Sequence, residues 1–402
     1  MRILEDGGVT SARGFRAAAV KAGIKPGTDR LDLALVASDR PASAAAVFTT
    51  NRVQAAPILV DREHLRRGSA RAVVLNSGNA NACTGERGVA DARRTCALVA
   101  QALGVAAEEV LVCSTGVIGV PMPMSALEAA VPAVVAALAE NGGALAAQAI
   151  MTTDTVPKSL AVEVELDGRT VRLGGMAKGA GMIAPHMATM LSVVTTDAAL
   201  SSDLLGRLLA RAAGRSFNCV TVDGDMSTND TLLVLANGAA GGPAIEPDTD
   251  ACERFYAGLE EVCRRLARMI ARDGEGATKL IEIQVRGGRD EAEARQAGLA
   301  VANSNLVKTA VFGNDPNWGR ILCAVGYSGV EIDPARVEVC LCGVRIYDHG
   351  SGQPFDQQAL SQAMRTDEVP IAIDLQRGEA VAEIFTCDFS YDYVRINAEY
   401  TT

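Results

Sequence analysis

Thr189 is the residue of this chain best placed to do chemistry. It stands in the Gly-rich stretch GGMAKGAGMIAPHMATML, residues 174–191, directly after the small, unhindered Ala188. A threonine hydroxyl at that junction can attack the carbonyl of residue 188, cut the chain and leave Thr189 as a new N-terminus. The hydroxyl needs a neighbouring base, and a free α-amino group, titrating near ~7.7–8.0, is partly neutral at working pH. A liberated Thr189 therefore carries its own base. Lys178, eleven positions upstream, would have to fall from about 10.4 by roughly three units, about 4 kcal/mol, to serve instead. Lys178 is read as a charge that binds carboxylate or oxyanion, and the cleavage point as Ala188/Thr189.

Two other readings of this loop fail on context. The phosphate-binding pattern G-x-x-x-x-G-K-[ST] is absent, because Lys178 is followed by Gly179. Gly179, Gly181 and Ala184 satisfy G-x-G-x-x-A, but Pro185 interrupts the helix a dinucleotide site requires and residues 190–196 read as a strand.

The loop has long companions in a fixed order: VFTTNRVQAAPI at 47–58, NSGNANACTG at 76–85, CSTGVIG at 113–119, MTTDTVPK at 151–158, VDGDMSTNDT at 222–231, DGEGATK at 273–279, GNDPNWGRI at 313–321 and NAEYTT at 397–402. With these motifs the sequence closely resembles, nearly end to end, the ornithine acetyltransferase (glutamate N-acetyltransferase) family of arginine biosynthesis. That resemblance implies a self-cleaving enzyme with Thr189 as nucleophile and Thr115 and Gly116 as oxyanion hole. It implies that Thr155, Lys178, Thr189, Glu275, Asn397 and the terminal Thr402 contact the amino-acid substrate, with Thr155 preferred over Thr153 by its spacing to Lys178. The chemistry is sensible: Glu275 can accept an ammonium, Lys178 can hold a carboxylate, and Asn397 with Thr402 can supply neutral hydrogen bonds. His186 stands where relatives carry Asn, an imidazole in place of an amide as hydrogen-bond partner.

The reaction implied is transfer of the acetyl group of N2-acetyl-L-ornithine to L-glutamate through an acetyl-Thr189 ester. No metal, nucleotide or redox cofactor is required. Acetyl-CoA is a second acetyl donor for some relatives, and the residues leave its use here open. They also leave open a self-cleaving aminopeptidase or amidase and an acetyltransferase of broader acceptor range. The resemblance further implies an α chain of 1–188 and a β chain of 189–402, two copies of each forming a heterotetramer.

Composition bounds the setting. With 402 residues, 49% of them hydrophobic, the chain can bury a substantial core. A net charge of −10 with both signs interspersed leaves no basic excess for nucleic acid. The ten cysteines lack C-x-x-C spacing and only three histidines accompany them, so no metal-ligand set stands out and free thiols in a reducing cytoplasm are expected. No secretory signal is visible, and Gly116, Gly119, Pro121 and Pro123 argue against a membrane helix over the uncharged stretch 110–127.

Elements must hold these residues in place. Strands are expected at 30–37, 44–50, 70–76, 109–115, 161–166, 169–173, 190–196, around 218–222, 231–236 and 279–286, with Asp167-Gly168 the strongest hairpin signal. Helices are expected at 88–103, at 126–139 with a Ser125/Glu128 capping box, at 203–214, 249–272 and 290–303. Residues 337–347 and 370–396 read mainly as strand. The class is α+β. The resemblance implies a helix/sheet/sheet/helix sandwich over 1–284 and a smaller C-terminal lobe over 285–402.

Overall fold

The computed structural model describes residues 1–25, 27–184 and 190–399. The chain first runs through β1 (Arg2–Leu4), β2 (Phe15–Val20), β3 (Leu33–Phe48), α1 (Ala56–His64), β4 (Ser69–Asn79), α2 (Gly85–Leu103), β5 (Val110–Val117), α3 (Met124–Ala136) and α4 (Gly143–Ala149). It continues through β6 (Lys158–Leu166), β7 (Arg169–Lys178), β8 (Leu191–Thr196), α5 (Ser202–Gly214), β9 (Thr231–Ala236) and α6 (Asp250–Arg272). The second lobe holds β10 (Leu280–Gly288), α7 (Glu291–Ala302), α8 (Asn305–Phe312), α9 (Trp318–Gly326), β11 (Glu338–Leu341) and β12 (Val344–Asp348). Then come β13 (Ser351–Gly352), α10 (Gln357–Ala363), β14 (Glu368–Asp374), β15 (Ala380–Cys387) and α11 (Tyr391–Glu399).

Among the described residues, nine strands form one ladder, β1-β6-β7-β8-β9-β3-β4-β5, with β2 also on β3. This ladder doubles back on itself at β3. The first half of β3 pairs with β2 and β4, whereas Ser43–Phe48 pairs with β9. Alternation along each strand then sorts side chains to two faces. Ala34 and Val36 of β3, Val73 and Leu75 of β4, Leu191 and Val193 of β8, and Leu233 and Leu235 of β9 share a single inner core. The opposite faces are covered separately. Helices α5 and α6 pack on the half containing β6 to β9, and α1, α2 and α3 on the half containing β2 to β5. The expected helix/sheet/sheet/helix sandwich is the architecture of this lobe.

The second lobe is a six-stranded sheet, β13-β12-β11-β14-β10-β15, over a core that α7, α8 and α9 help to fill. Its strand β10 spans the boundary expected at 284/285.

Local chemistry explains most boundaries. Asp167 and Gly168 have φ of 49° and 78°, the paired positive values of a tight β6–β7 hairpin. Ser201 and Thr249 cap α5 and α6, each side chain accepting a backbone N–H three residues on. Five expectations need correction. The strands foreseen at 30–37 and 44–50 are one strand, because exposed Asp39-Arg40-Pro41 interrupts the ladder without ending it. The Ser125/Glu128 capping box does not form: α3 starts at Met124 behind Pro123, and Glu128 faces Arg94 at 3.3 Å. That helix also stops at Ala136, where Ala139 leaves to exchange backbone hydrogen bonds with Ala17. Residues 217–219 form a 3₁₀ turn, and the strand expected there shrinks to one bridge between Val220 and Phe385. Finally, the end of 370–396 is helical, Ser390 accepting Asp392 N–H at the start of α11.

Strand β5 lies at an edge, yet its free groups are taken by α1. Asp61 accepts Val112 N–H at 2.8 Å, and His64 Nδ1 donates to Val110 O at 2.8 Å. Asp61 is fully buried, and burial pushes its carboxyl well above the usual carboxylate range. Its proton is then kept on folding while the unfolded chain releases it near pH 4. Stability is therefore lost as pH climbs above that value, at about 1.4 kcal/mol per unit, until the folded group also ionises. In Asp61→Asn the acceptor remains and the titration is gone. The melting temperature of the variant relative to wild type should accordingly rise from pH 5 to pH 8 in thermal scans, and a constant difference would contradict this account.

Candidate active site

The β4–β5 ends form the first wall. Gly116 has φ of 134°, and a Cβ there would lie 2.3 Å from Gly78 C and 2.5 Å from Asn79 N. Only glycine lets these parallel strands approach so closely, and their register shifts at this point. Asparagines lock the arrangement. Asn76 accepts Ser114 Oγ at 2.6 Å and donates to Asn79 O, while Asn229 Nδ2 donates to Ala80 O and Ser114 O. Thr115 is left buried at the strand end with its hydroxyl toward Lys178.

Lys178 closes β7, paired with Leu191 of β8. Residues 179–190, which include Ala188 and Thr189, therefore leave and re-enter the sheet at adjacent points. The described ends of this segment are held by carboxyl groups. Asp154 accepts Gly179 N–H at 2.6 Å, Asp223 accepts Met182 and Ile183 N–H, and Asp230 accepts Met190 N–H at 3.0 Å.

Lys178 is 2% exposed, and its ammonium donates to Thr152 Oγ1 at 2.7 Å and Thr115 Oγ1 at 3.3 Å. Burial pushes it below the ordinary lysine value, and Lys158 adds to that, whereas Asp154, Asp230 and Glu275 pull it back up. Burial likewise raises the Asp154 carboxyl, but Lys178, Lys158 and the Gly179 amide outweigh it and hold it at about 2. At Asp230 burial wins over the Met190 amide, the Thr49 hydroxyl and Lys178, and lifts the carboxyl well above its usual range.

The third wall follows α6. Glu275 donates its N–H to Ala180 O, accepts Asn397 Nδ2 at 2.8 Å, and brings a carboxylate to within the same space as Lys178. Gly181 makes room for it, since a Cβ at that position would stand 2.3 Å from Glu275 Cδ. The resulting cavity, about 80 Å³, is lined by Thr115, Gly116, Lys178, Glu275 and Asn397 together. Five residues singled out from sequence thus meet in one place.

Others do not. Thr155 is exposed and lies behind this wall, its N–H and hydroxyl donating to Asp273, while Thr152 and Thr153 face the cavity. Ala188, Thr189, His186 and Thr402 lie outside the described residues. Sequence reasoning missed Thr152, Ser227 and Asn229 on the lining and the buried Asp154 and Asp273 behind it. No local pattern signals Asp154 and Asp273, because residues 151–157 lie in no helix and the contacts with Gly179 and between Lys158 and Asp273 join distant parts of the chain.

Fold and site together define a class: an acyltransferase built on a helix/sheet/sheet/helix sandwich. The model of the ArgJ family matches residues 16–402, and the chain belongs to that family. It is similar to the arginine biosynthesis bifunctional protein ArgJ of Geobacter sulfurreducens, 52% identical over 394 residues, covering 98% of this chain and 100% of the relative. The ArgJ protein of Symbiobacterium thermophilum is also 52% identical, over 98% of this chain and 99% of its own. A solved chain of the Bacillus halodurans ArgJ protein is 40% identical, with a TM-score of 0.51, and corresponds to 52% of this chain and 98% of itself. Among the described residues no helix is long and apolar enough to cross a membrane.

Gly181→Ala displaces the Glu275 carboxylate without touching the core. Affinity for an ammonium-bearing amino acid should fall by about tenfold to a hundredfold, as loss of one hydrogen bond to a charged group implies. Calorimetric titration measures it, and unchanged affinity in a folded variant would remove Glu275 from the binding site.

Proposed function

We propose that this chain transfers the acetyl group of N2-acetyl-L-ornithine to L-glutamate through an ester on Thr189, in the cytoplasm, after cutting itself between Ala188 and Thr189. The observation that carries this reading is the convergence of Thr115, Gly116, Lys178 and Glu275 on one cavity beside the paired ends of β7 and β8. Residues 179–190 connect those ends. The Bacillus halodurans chain adds support, since nearly its whole length corresponds to about half of this one, as a precursor divided in two would give.

In the first stage the Thr189 hydroxyl adds to the Ala188 carbonyl carbon, the peptide C–N bond breaks, and water hydrolyses the ester. Ala188 becomes a carboxylate and Thr189 gains a free amine. In the second, Thr189 Oγ bonds to the acetyl carbon of acetyl-ornithine while the α-amine takes its proton. The Thr115 hydroxyl and the Gly116 N–H stabilise the oxyanion, the acetyl C–N bond breaks, and the proton passes to the departing ornithine nitrogen. Glutamate then enters with a neutral amine, attacks the ester, and leaves as N-acetylglutamate while Oγ recovers a proton. Lys178 holds the carboxylate of each amino acid in turn, and Glu275 an ammonium. An amide is broken and an amide is made, so the transfer runs near thermoneutrality in both directions. Acetyl-CoA is a further donor consistent with the same ester, and two copies of each product chain form a heterotetramer.

Intact mass spectrometry after incubation with acetyl-ornithine tests the scheme. A fragment beginning at residue 189 should gain one acetyl mass and lose it on addition of glutamate, and Thr189→Ala should abolish both cleavage and acetylation. Retention of either in that variant would refute the assignment. Thr115→Val should slow transfer by about 10²–10³, the typical effect of removing one oxyanion donor, measured as kcat on processed enzyme.

A further inference from the structure

The segment 151–158 carries two buried charges that acyl transfer itself has not called on. Asp154 and Lys158 are 5% and 1% exposed. Asp154 Oδ1 accepts Lys158 Nζ at 2.7 Å and Gly179 N–H at 2.6 Å, and Lys158 Nζ reaches Asp273 Oδ2 at 2.5 Å. Asp273 in turn accepts Thr155 N–H at 3.0 Å. Lys158 also opens β6, paired with Ala177 of β7, so this cluster grips β7 one residue before Lys178 and one residue after it.

Lys178 itself lacks such a partner. Among the described residues its hydrogen bonds go to two neutral hydroxyls, and no carboxylate oxygen stands within 4 Å of it. A buried ammonium without a contacting anion is retained only if charge nearby compensates it. The groups around it are Asp154 and Lys158 from this segment, Asp230 before β9, Glu275 after α6, and Lys25 from the loop after β2. Of the carboxyl groups among them, Asp154 exerts the largest opposing effect. Lys158 already has Asp273, which leaves Asp154 free to act on both lysines.

We propose that Asp154 is the positioning residue of the substrate-carboxylate site: it fixes the end of β7 through Gly179 N–H and keeps the Lys178 ammonium charged and turned toward the cavity, without touching substrate. This rests on Lys178 being the carboxylate anchor. It also gives Lys158 a definite task, that of keeping Asp154 ionised and in place.

Asp154→Asn tests it, because the amide can still accept Gly179 N–H while the charge is gone. With that charge absent Lys178 releases its proton at lower pH, so carboxylate binding is lost earlier as pH rises. The KM for glutamate should begin to rise at lower pH than in wild type, by up to about tenfold on the alkaline side and with a smaller change in kcat, and the alkaline limb of the rate profile should move by about one unit toward acid. The protonation of Lys178 is read directly, without any catalytic assay, by trace labelling with isotopic acetic anhydride across pH followed by mass spectrometry of the peptide containing it. A labelling midpoint shifted to lower pH is expected. If that midpoint moves but glutamate KM does not, Lys178 is not the carboxylate anchor, and the proposed function loses that residue while the Asp154 inference stands. An unmoved midpoint in folded Asp154→Asn overturns the inference. Should that variant fail to fold, Asp154→Asn combined with Lys158→Met decides: the two charges leave together, and because Asp154 acts on Lys178 more strongly than Lys158 does, the midpoint should still move to lower pH, whereas an upward or absent shift overturns the inference.

Discussion

The segment joining β7 to β8 begins and ends on backbone amides that no strand or helix satisfies, and carboxyl groups take them instead. Buried amides without partners are costly, so such a segment can hold one course past the sheet only if acceptors are supplied from outside it. Asp154, from one part of the chain, and Asp223 and Asp230, from another, supply them. The site inherits its geometry from these contacts, because Lys178 is the last residue before the first of them.

The same acids settle the electrostatics. Under the proposed function one cavity takes amino acids, which bring an ammonium and a carboxylate together, and such a cavity has to bury both signs. Lys178 and Glu275 provide them, and the ionised Asp154 balances the lysines behind. Thr115 stands where this charged wall meets the strand ends. The glycines at 78, 116 and 181 are the steric counterpart, each leaving space that a methyl group would fill.

Much of the scaffold was legible in the sequence because local signals agree with the tertiary result. Asp167-Gly168 demanded two positive φ values and received them, and Ser201 and Thr249 are caps in both readings. Where expectation failed, a distant contact overrode a local cue. Ala139 is drawn off by Ala17, Glu128 by Arg94, and the β-branched and aromatic residues of 391–396 become a helix started by Ser390. Short helices such as α1, α8, α9 and α10 gave no clear period. The inner and outer cores were equally invisible, since both faces of β3, β4 and β9 are apolar and alternation cannot tell one buried face from the other. At the site, Lys178 and Glu275 were readable from residue type and resemblance. Asp154 was not, because its role depends on Gly179 arriving from the far end of β7.

The order β1-β6-β7-β8-β9-β3-β4-β5 has an outcome for any break between residues 179 and 190. Strands β8 and β9 would then belong to one product, flanked on either side by β7 and β3 of the other. Two polypeptides so interleaved cannot drift apart, for separating them would unzip two ladders and bare the inner core at once. Processed material would migrate as a single native particle and resolve into its pieces only under denaturant.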